Sequence, residues 1–399
     1  MGVAAGRTPI LISAGEASGE MYGARLIEAL KRHEPSLQFF GVGGERMRAA
    51  GCDTVVDARD LAVVGISEIV GHLPKIYSRF RTLVAAIDQR RPALGIVIDS
   101  PAFNWRVARQ LKQRSVPVVY YVTPQFWAWR QGRVRLLKKY VDKLLVIFPF
   151  EEGFFRERGM DAQFVGHPLA DIAPPAPDRE AFASEHKLDP AKNWITLMPG
   201  SRRKEVRMNL PTIIEAVQRL GSGYEYVLPV APTLDHAFVQ EFIGSQSIAL
   251  VADSLPALVL SRAAIVASGT ATVEAALMGT PFVMVYRVSP ITFALGRPLV
   301  KVPHFAMVNL IAGERVVSEL VQDDFTAENV VSAMQPLLKE RPERAKMLAG
   351  LEKVRALLKG ANPSDNRSAA ERAAEIIVGM LQKAQNFQVQ TPDAGTSVR

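Results

Sequence analysis

The chain has 399 residues, 48% hydrophobic and 22% charged, which is the composition of a globular protein too long for one ordinary core. Its one cysteine, Cys52, excludes an internal disulfide and any cysteine-based zinc site, and no window approaches 18 uncharged apolar residues, which excludes a membrane-spanning helix. The net charge of +8 falls wholly on residues 1–170, which hold 24 Lys and Arg against 16 Asp and Glu, while residues 171–399 hold 24 of each.

Strands and helices alternate from the start. No secretory-signal core separates Met1 from Pro9, so a cytoplasmic location is expected. Pro9 to Ala14 is predicted as an apolar strand, Gly15-Glu16-Ala17-Ser18-Gly19-Glu20 as a small-residue turn, and Met21 to Arg32 as a helix. Further strands are predicted at Phe39 to Val42, Leu94 to Ile98, Val116 to Val122 and Leu144 to Phe148. Leu61 to Tyr77 is apolar and reads either as core or as a face that dips into a membrane surface. Arg106, Arg109 and Lys112 at helical spacing, and the run Arg130, Arg133, Arg135, Lys138 and Lys139, carry much of the positive charge. Such a patch suits a phosphorylated substrate or an anionic membrane, or is simply a solvated face; no aromatic-basic module speaks for nucleic acid.

Asp171 to Asp178, with three prolines, reads as a linker. A second series follows, with strands at Trp194 to Met198, Tyr226 to Val230, Ala249 to Ala252, Ala264 to Ala267 and Phe282 to Tyr286. Residues 327–383 have a helical pattern broken near Gly360 to Ser364, and a polar tail predicted as disordered begins at Gln385. Repeated β–α units of this kind imply an α/β fold with parallel sheets, here two Rossmann-like domains facing a central cleft. The predicted domains are 1–172 and 173–363, followed by a helix at 364–384 placed to pack back on the first domain, and the tail at 385–399.

The candidate chemistry lies at strand C-terminal ends. Asp99 follows an apolar strand, where a carboxylate serves either as a general base or as a helix cap, and Glu16 shares that ambiguity. In the second series, Pro199-Gly200-Ser201-Arg202 offers backbone and hydroxyl donors and a guanidinium that can fork onto a diphosphate. The alternative is a basic turn capping a helix that Pro211 starts. Ser268-Gly269-Thr270 opens another helix, a second place for a phosphate, and Glu274 lies one turn in, where it can accept ribose hydroxyls or stay solvated. Trp127 and Trp129 either line an acyl or sugar pocket or pack on the sheet, and His167 is either a polar cleft residue or structural. No Ser-His-Asp order and no paired-His metal spacing is present.

Gly15-Glu16-Ala17-Ser18-Gly19, Trp127-Ala128-Trp129-Arg130, Val165-Gly166-His167-Pro168, Pro199-Gly200-Ser201-Arg202 and Ser268-Gly269-Thr270 with Glu274 together resemble the lipid-A-disaccharide synthases, over nearly all of the chain to about residue 383. The resemblance implies an inverting, metal-independent glycosyltransferase of the two-Rossmann GT-B type that needs no cofactor. Its substrates would be UDP-2,3-diacylglucosamine and 2,3-diacylglucosamine 1-phosphate, joined through a β-1,6 linkage with release of UDP. It would work peripherally on the anionic inner face of a Gram-negative inner membrane, with a homodimer among the assemblies open to it. By position, the resemblance makes Asp99 the base on the acceptor hydroxyl, Glu16 an essential site residue, and Gly200, Ser201, Arg202, Ser268, Gly269, Thr270 and Glu274 the UDP-binding set; Asn309, Trp129, Arg130 and His167 are further site candidates. Three departures stand out: Glu20 replaces the usual aspartate, Ala102 an acidic residue, and Phe305-Ala306-Met307-Val308 the usual Ser-Leu-Pro pattern before Asn309. The competing readings are another UDP-sugar GT-B enzyme, such as a muramyl-type N-acetylglucosaminyltransferase or a UDP-N-acetylglucosamine epimerase, and a non-catalytic nucleotide-sugar or lipid binding protein.

Overall fold

The computed structural model describes residues 8–61, 69–129, 131–297, 300, 302–360 and 365–390. The chain divides into two compact units, Met1–Pro168 with Gly360–Arg399, and Leu169–Lys359. Each unit is built on one parallel sheet. In the first, β1 (Thr8–Ala14), β2 (Leu37–Gly43), β3 (Cys52–Asp57), β4 (Leu94–Ile98), β5 (Val118–Tyr121), β6 (Lys143–Val146) and β7 (Ala162–Phe164) lie in the order β3-β2-β1-β4-β5-β6-β7. In the second, β8 (Asn193–Met198), β9 (Tyr224–Pro229), β10 (Ile248–Val251), β11 (Ala263–Ala267), β12 (Phe282–Tyr286) and β13 (Ser318–Val321) lie in the order β10-β9-β8-β11-β12-β13.

The interior strands are legible because helices cover both faces of a parallel sheet, so their side chains are apolar on both sides. Ile10, Leu11, Ile12, Ile96, Val97 and Ile98 in the first unit, and Ile265, Val266, Phe282 and Val283 in the second, are fully buried. Three strands escape the sequence reading: β3, β7 and β13. Each is an edge strand with one neighbour, and their Cys-Asp-Thr-Val-Val-Asp, Ala-Gln-Phe and Ser-Glu-Leu-Val sequences lack a continuous apolar run.

Several helix starts differ from those expected, and side-chain caps fix some of them. The helix after β1 starts at Ala17, not Met21, so most of the predicted turn is helical. Glu20, the residue that departs from the family's aspartate, accepts the backbone N–H of Arg46 at 2.7 Å and so caps the helix Glu45–Ala49. The helix after β8 runs over Arg203–Leu220 with Pro211 inside it, because Glu205 caps its first turn upstream of the proline. In the linker stretch, Asp178 accepts from Ala181 N–H at 2.8 Å and starts the helix Arg179–His186.

The C-terminal pattern resolves into helices Ala327–Leu338, Pro342–Lys359 and Ala369–Gln390. The last continues five residues beyond the expected start of the tail, and residues 391–399 lie outside the described residues. It returns to the first unit and packs on the helix Ala17–His33. Buried Ala369, Ala370, Ala373 and Ala374 let the backbones approach, and Arg372 Nε donates to the Val165 carbonyl at 2.7 Å. Most of the Leu61–Tyr77 segment, residues 62–68, lies outside the described residues.

Both sheets reverse direction at one point, between β1 and β4 and between β8 and β11. At such a switch point the connections diverge and leave a crevice beyond the strand C-terminal ends, where ligands bind. Register brings the ends level, with Ala14 beside Ile98 and Met198 beside Val266.

Candidate functional site

In the first unit, β1 runs into Gly15 and Glu16, and β4 into Asp99 and Ser100. The two turns touch: a Cβ on Gly15 would stand 2.6 Å from Ser100 Oγ, so a side chain there would displace Ser100. Asp99 and Ser100 both have φ of 46°. Left-handed backbone costs a residue with a side chain about 1–2 kcal/mol, so two in succession persist only when their surroundings hold them.

The hold is visible. Asn104, fully buried one turn into the following helix Pro101–Lys112, directs the two N–H groups of Nδ2 to the carbonyls of Ile98 and Asp99, both at 2.8 Å, with Ser13 O a longer, shared contact at 3.3 Å. Its Oδ1 accepts the Ser13 hydroxyl at 2.7 Å. Tyr120, at the end of β5, donates its hydroxyl to the Asp99 carbonyl at 2.7 Å. Burial first, then the charges of Asp99 and Glu16, push the Tyr120 phenol well above its ordinary value. Asp99 does not occupy a helix N-cap position, and Glu16 occupies one without capping through its side chain. The N-cap of Pro101–Lys112 is Ser100, and Glu16, exposed at the N-cap of Ala17–His33, makes no side-chain bond to that helix.

The first tryptophan of the motif packs inward. Trp127 is buried, meets Phe150 edge-on at 4.8 Å between ring centroids, and donates its Nε1–H to Glu151 at 2.9 Å. Glu151 is fully buried after β6 and also accepts from Thr123 Oγ1 at 3.2 Å, Ile147 N at 3.2 Å and Phe148 N at 3.0 Å. Burial pushes its carboxyl up to about 7 against the downward pull of these four donors. His167 packs on the Phe148 ring at 5.3 Å, and burial lowers it to about 3, so its imidazole is neutral near pH 7. Of Trp129 the structure describes the backbone, as the last residue of the helix Phe126–Trp129, and Arg130 lies outside the described residues.

In the second unit, the two turns expected to bind phosphate end β8 and β11, neighbouring strands at the switch point, and the donors of the first turn are in use. Gly200 has φ of 125° and a Cβ there would meet Glu205 at 2.5 Å. The Glu205 carboxylate accepts from Ser201 N at 3.0 Å, Arg202 N at 3.3 Å and the Arg202 guanidinium at 2.9 Å. The chain's own carboxylate thus fills the nest expected to hold a diphosphate, while the Arg202 side chain stays 77% exposed. Asn209, buried in the same helix, donates to Pro199 O at 2.9 Å and accepts from Arg287 N at 3.1 Å, tying the turn after β8 to the end of β12.

Ser268 donates its hydroxyl to the Phe305 carbonyl at 2.9 Å, so it offers a ligand its lone pairs only. Gly269, at φ 137°, is the N-cap of the helix Thr270–Leu277, with Thr270 exposed in the first turn. Glu274 is half-buried: burial raises its carboxyl, and Ser254 Oγ donates to Oε2 at 3.1 Å. Asn309 is a brace. Its Nδ2 donates to Val317 O at 3.0 Å and Glu319 Oε1 at 2.8 Å, and its Oδ1 accepts from Val316 N and Val317 N at 2.8 and 2.9 Å. Those four bonds exhaust an asparagine side chain and leave it nothing for a ligand. The sequence reading missed Asn104, Tyr120, Glu151, Ser254 and Asn209 as parts of the two sites. Their one signal is a polar residue at a core position of an apolar element, which does not say what it holds.

Two kinds of comparison bear on these sites. A family model described as lipid-A-disaccharide synthetase matches residues 10–376. The lipid-A-disaccharide synthase of Koribacter versatilis is 52% identical over 379 residues, covering 94% of this chain and 99% of that protein. Among solved structures, a UDP-GlcNAc 2-epimerase from Neisseria meningitidis matches with a TM-score of 0.60 at 12% identity, over 94% of this chain and 100% of the other. The calicheamicin glycosyltransferase CalG4 matches with a TM-score of 0.57 at 16% identity, over 94% and 99%. At such identities the two structures speak for the GT-B fold alone.

Proposed function

The chain belongs to the lipid-A-disaccharide synthetase family, and from that premise we propose how its residues carry the transfer. It is a glycosyltransferase of lipid A biosynthesis. The reaction condenses UDP-2,3-diacylglucosamine with 2,3-diacylglucosamine 1-phosphate to the β-1,6 disaccharide 1-phosphate and UDP. The acceptor hydroxyl oxygen bonds to the anomeric carbon as the bond from that carbon to UDP breaks, with inversion, and the acceptor proton passes to a base.

Asp99 is that base, and the observation that carries the assignment is its turn: two left-handed residues fixed by buried donors beside Glu16. A carboxylate held in one orientation can take a proton in line with attack, which a mobile one does poorly. Glu16, exposed and not engaged in capping, is an acceptor-side contact. In the other unit Arg202 and Thr270 hold the diphosphate, with Arg202 balancing the charge that builds on the leaving group. Glu274, with one oxygen fixed by Ser254, takes the ribose. Asn309 acts from behind, through the turn it braces.

Attachment to an anionic membrane surface on the inner face of the inner membrane fits the same reading. Arg133, Arg135, Lys138 and Lys139 are exposed around the helix Val134–Tyr140, whose Val134 and Leu137 are buried. Among the described residues no helix is long and apolar enough to cross a membrane. Sedimentation with anionic vesicles that weakens as salt rises supports attachment; indifference to lipid charge counts against it.

The decisive assay incubates both acylated sugars with the protein and reads products by mass spectrometry. Disaccharide 1-phosphate with equimolar UDP is the expected result. UDP without disaccharide would reject the acceptor, and conversion of UDP-N-acetylglucosamine without any acylated acceptor would favour the epimerase reading.

A further inference from the structure

We propose that Asn104 and Tyr120 are a pair of positioning residues for the transfer, acting together through the main-chain carbonyl of Asp99. The inference rests on Asp99 being the base. Asn104 Nδ2 and Tyr120 Oη reach that one oxygen from different elements, at 2.8 and 2.7 Å. A carbonyl has two lone pairs, and here both are taken by buried donors. With its oxygen pinned from two directions, the peptide plane between Asp99 and Ser100 cannot rotate, so the left-handed conformation of both residues is fixed.

The arrangement reaches further than one peptide. Asn104 also holds the Ile98 carbonyl and the Ser13 hydroxyl, and Ser13 lies in β1, three residues before Glu16. One buried amide therefore ties the end of the strand bearing Asp99 to the strand that leads to Glu16. Asparagine usually serves a helix from its N-cap; this one, a turn inside, spends its amide on the two strands before it. Tyr120 contributes from β5, the next strand across. Its ring is fully buried and its hydroxyl is spent on the Asp99 carbonyl.

Neither side chain touches the reacting atoms in this account, so their removal should leave nucleotide binding alone. Asn104→Asp keeps the shape and the acceptor for Ser13 and loses the amide donors; Tyr120→Phe loses one hydroxyl. The experiment measures kcat, KM for the donor sugar, UDP affinity and thermal midpoint for both, beside Asp99→Asn and the double variant. A misplacement on the order of 1 Å at a reacting group costs about a hundredfold in rate. Asn104→Asp is expected to lose about that in kcat, and Tyr120→Phe about tenfold, with donor KM and UDP affinity unchanged. The double variant should lose less than the product of the two, since both act on one oxygen.

Wild-type kcat in Asn104→Asp, with Asp99→Asn inactive, would overturn the positioning role and leave the base standing. Equal losses in kcat, UDP affinity and thermal midpoint would make Asn104 a general stabiliser and also overturn it. Full activity in Asp99→Asn would reject the base, and this inference with it. If Asn104→Asp does not fold, Tyr120→Phe decides, because it deletes a single oxygen: unchanged kcat overturns the proposal.

Discussion

The Glu205 carboxylate accepts the backbone N–H of Ser201 at 3.0 Å, and with it the chain's own charge sits where an anionic ligand would sit. The same carboxylate pairs with Arg202 at 2.9 Å. A diphosphate arriving at this turn competes with Glu205 for the same donors. Glu205→Ala should therefore lower stability by about 1 kcal/mol through the lost helix cap, yet tighten UDP binding several-fold. Titration calorimetry and a thermal melt read the two effects, and weaker UDP binding would mean that Glu205 orients Arg202 and does not compete with the ligand.

Asp99→Asn keeps the volume and removes the base. General-base catalysis is worth about 10²–10⁴ in rate, so kcat should fall by that range with UDP affinity intact. The melt should move little, because Ser100, not Asp99, occupies the N-cap of the following helix. A loss of stability near 1 kcal/mol with most of the rate retained would instead describe a cap.

Glu274→Gln tests the ribose contact. Hydrogen bonds to a charged group are worth about 1.5–3 kcal/mol, so UDP affinity should drop about tenfold to a hundredfold. A UDP analogue lacking both ribose hydroxyls should bind the variant and the parent alike. If the variant weakens the analogue equally, Glu274 acts through the fold, by way of Ser254.

Glu151 makes stability depend on pH in a definite direction. Its carboxyl is raised from 4.5 to about 7 in the folded chain. Between those values the unfolded chain has released the proton and the folded chain keeps it, so the folded state binds more protons and its stability falls as pH rises through that window. The thermal midpoint difference between the parent and Glu151→Gln should shrink or reverse from pH 4.5 to 7 as the parent loses stability. A difference flat across that range would mean that the four donors keep Glu151 ionised throughout.

Part of this protein is readable from its residues in order. Apolar β-branched runs such as Ile10 to Ile12 and Ile96 to Ile98 announce interior strands, because a strand buried on both faces admits little else. Turns that follow them carry Glu16, Asp99, Arg202 and Thr270, so the strand C-terminal ends could be named as the place of chemistry without coordinates. Edge strands such as β3 and β13 could not be found that way, since their free sides tolerate polar residues.

What each site residue is bonded to was decided by tertiary structure alone. Asn309 and His167 have the composition of ligand contacts, yet one spends all four of its hydrogen bonds within the fold and the other is buried and neutral. Asn104 has the composition of a helix start, yet it reaches across 91 residues to Ser13. Local sequence determined the elements and their order, because periodicity and turn chemistry act over a few residues. Which polar groups were left for a substrate and which were consumed by the fold depended on partners far apart in the chain, and a side chain's hydrogen bonds are settled only when those partners meet.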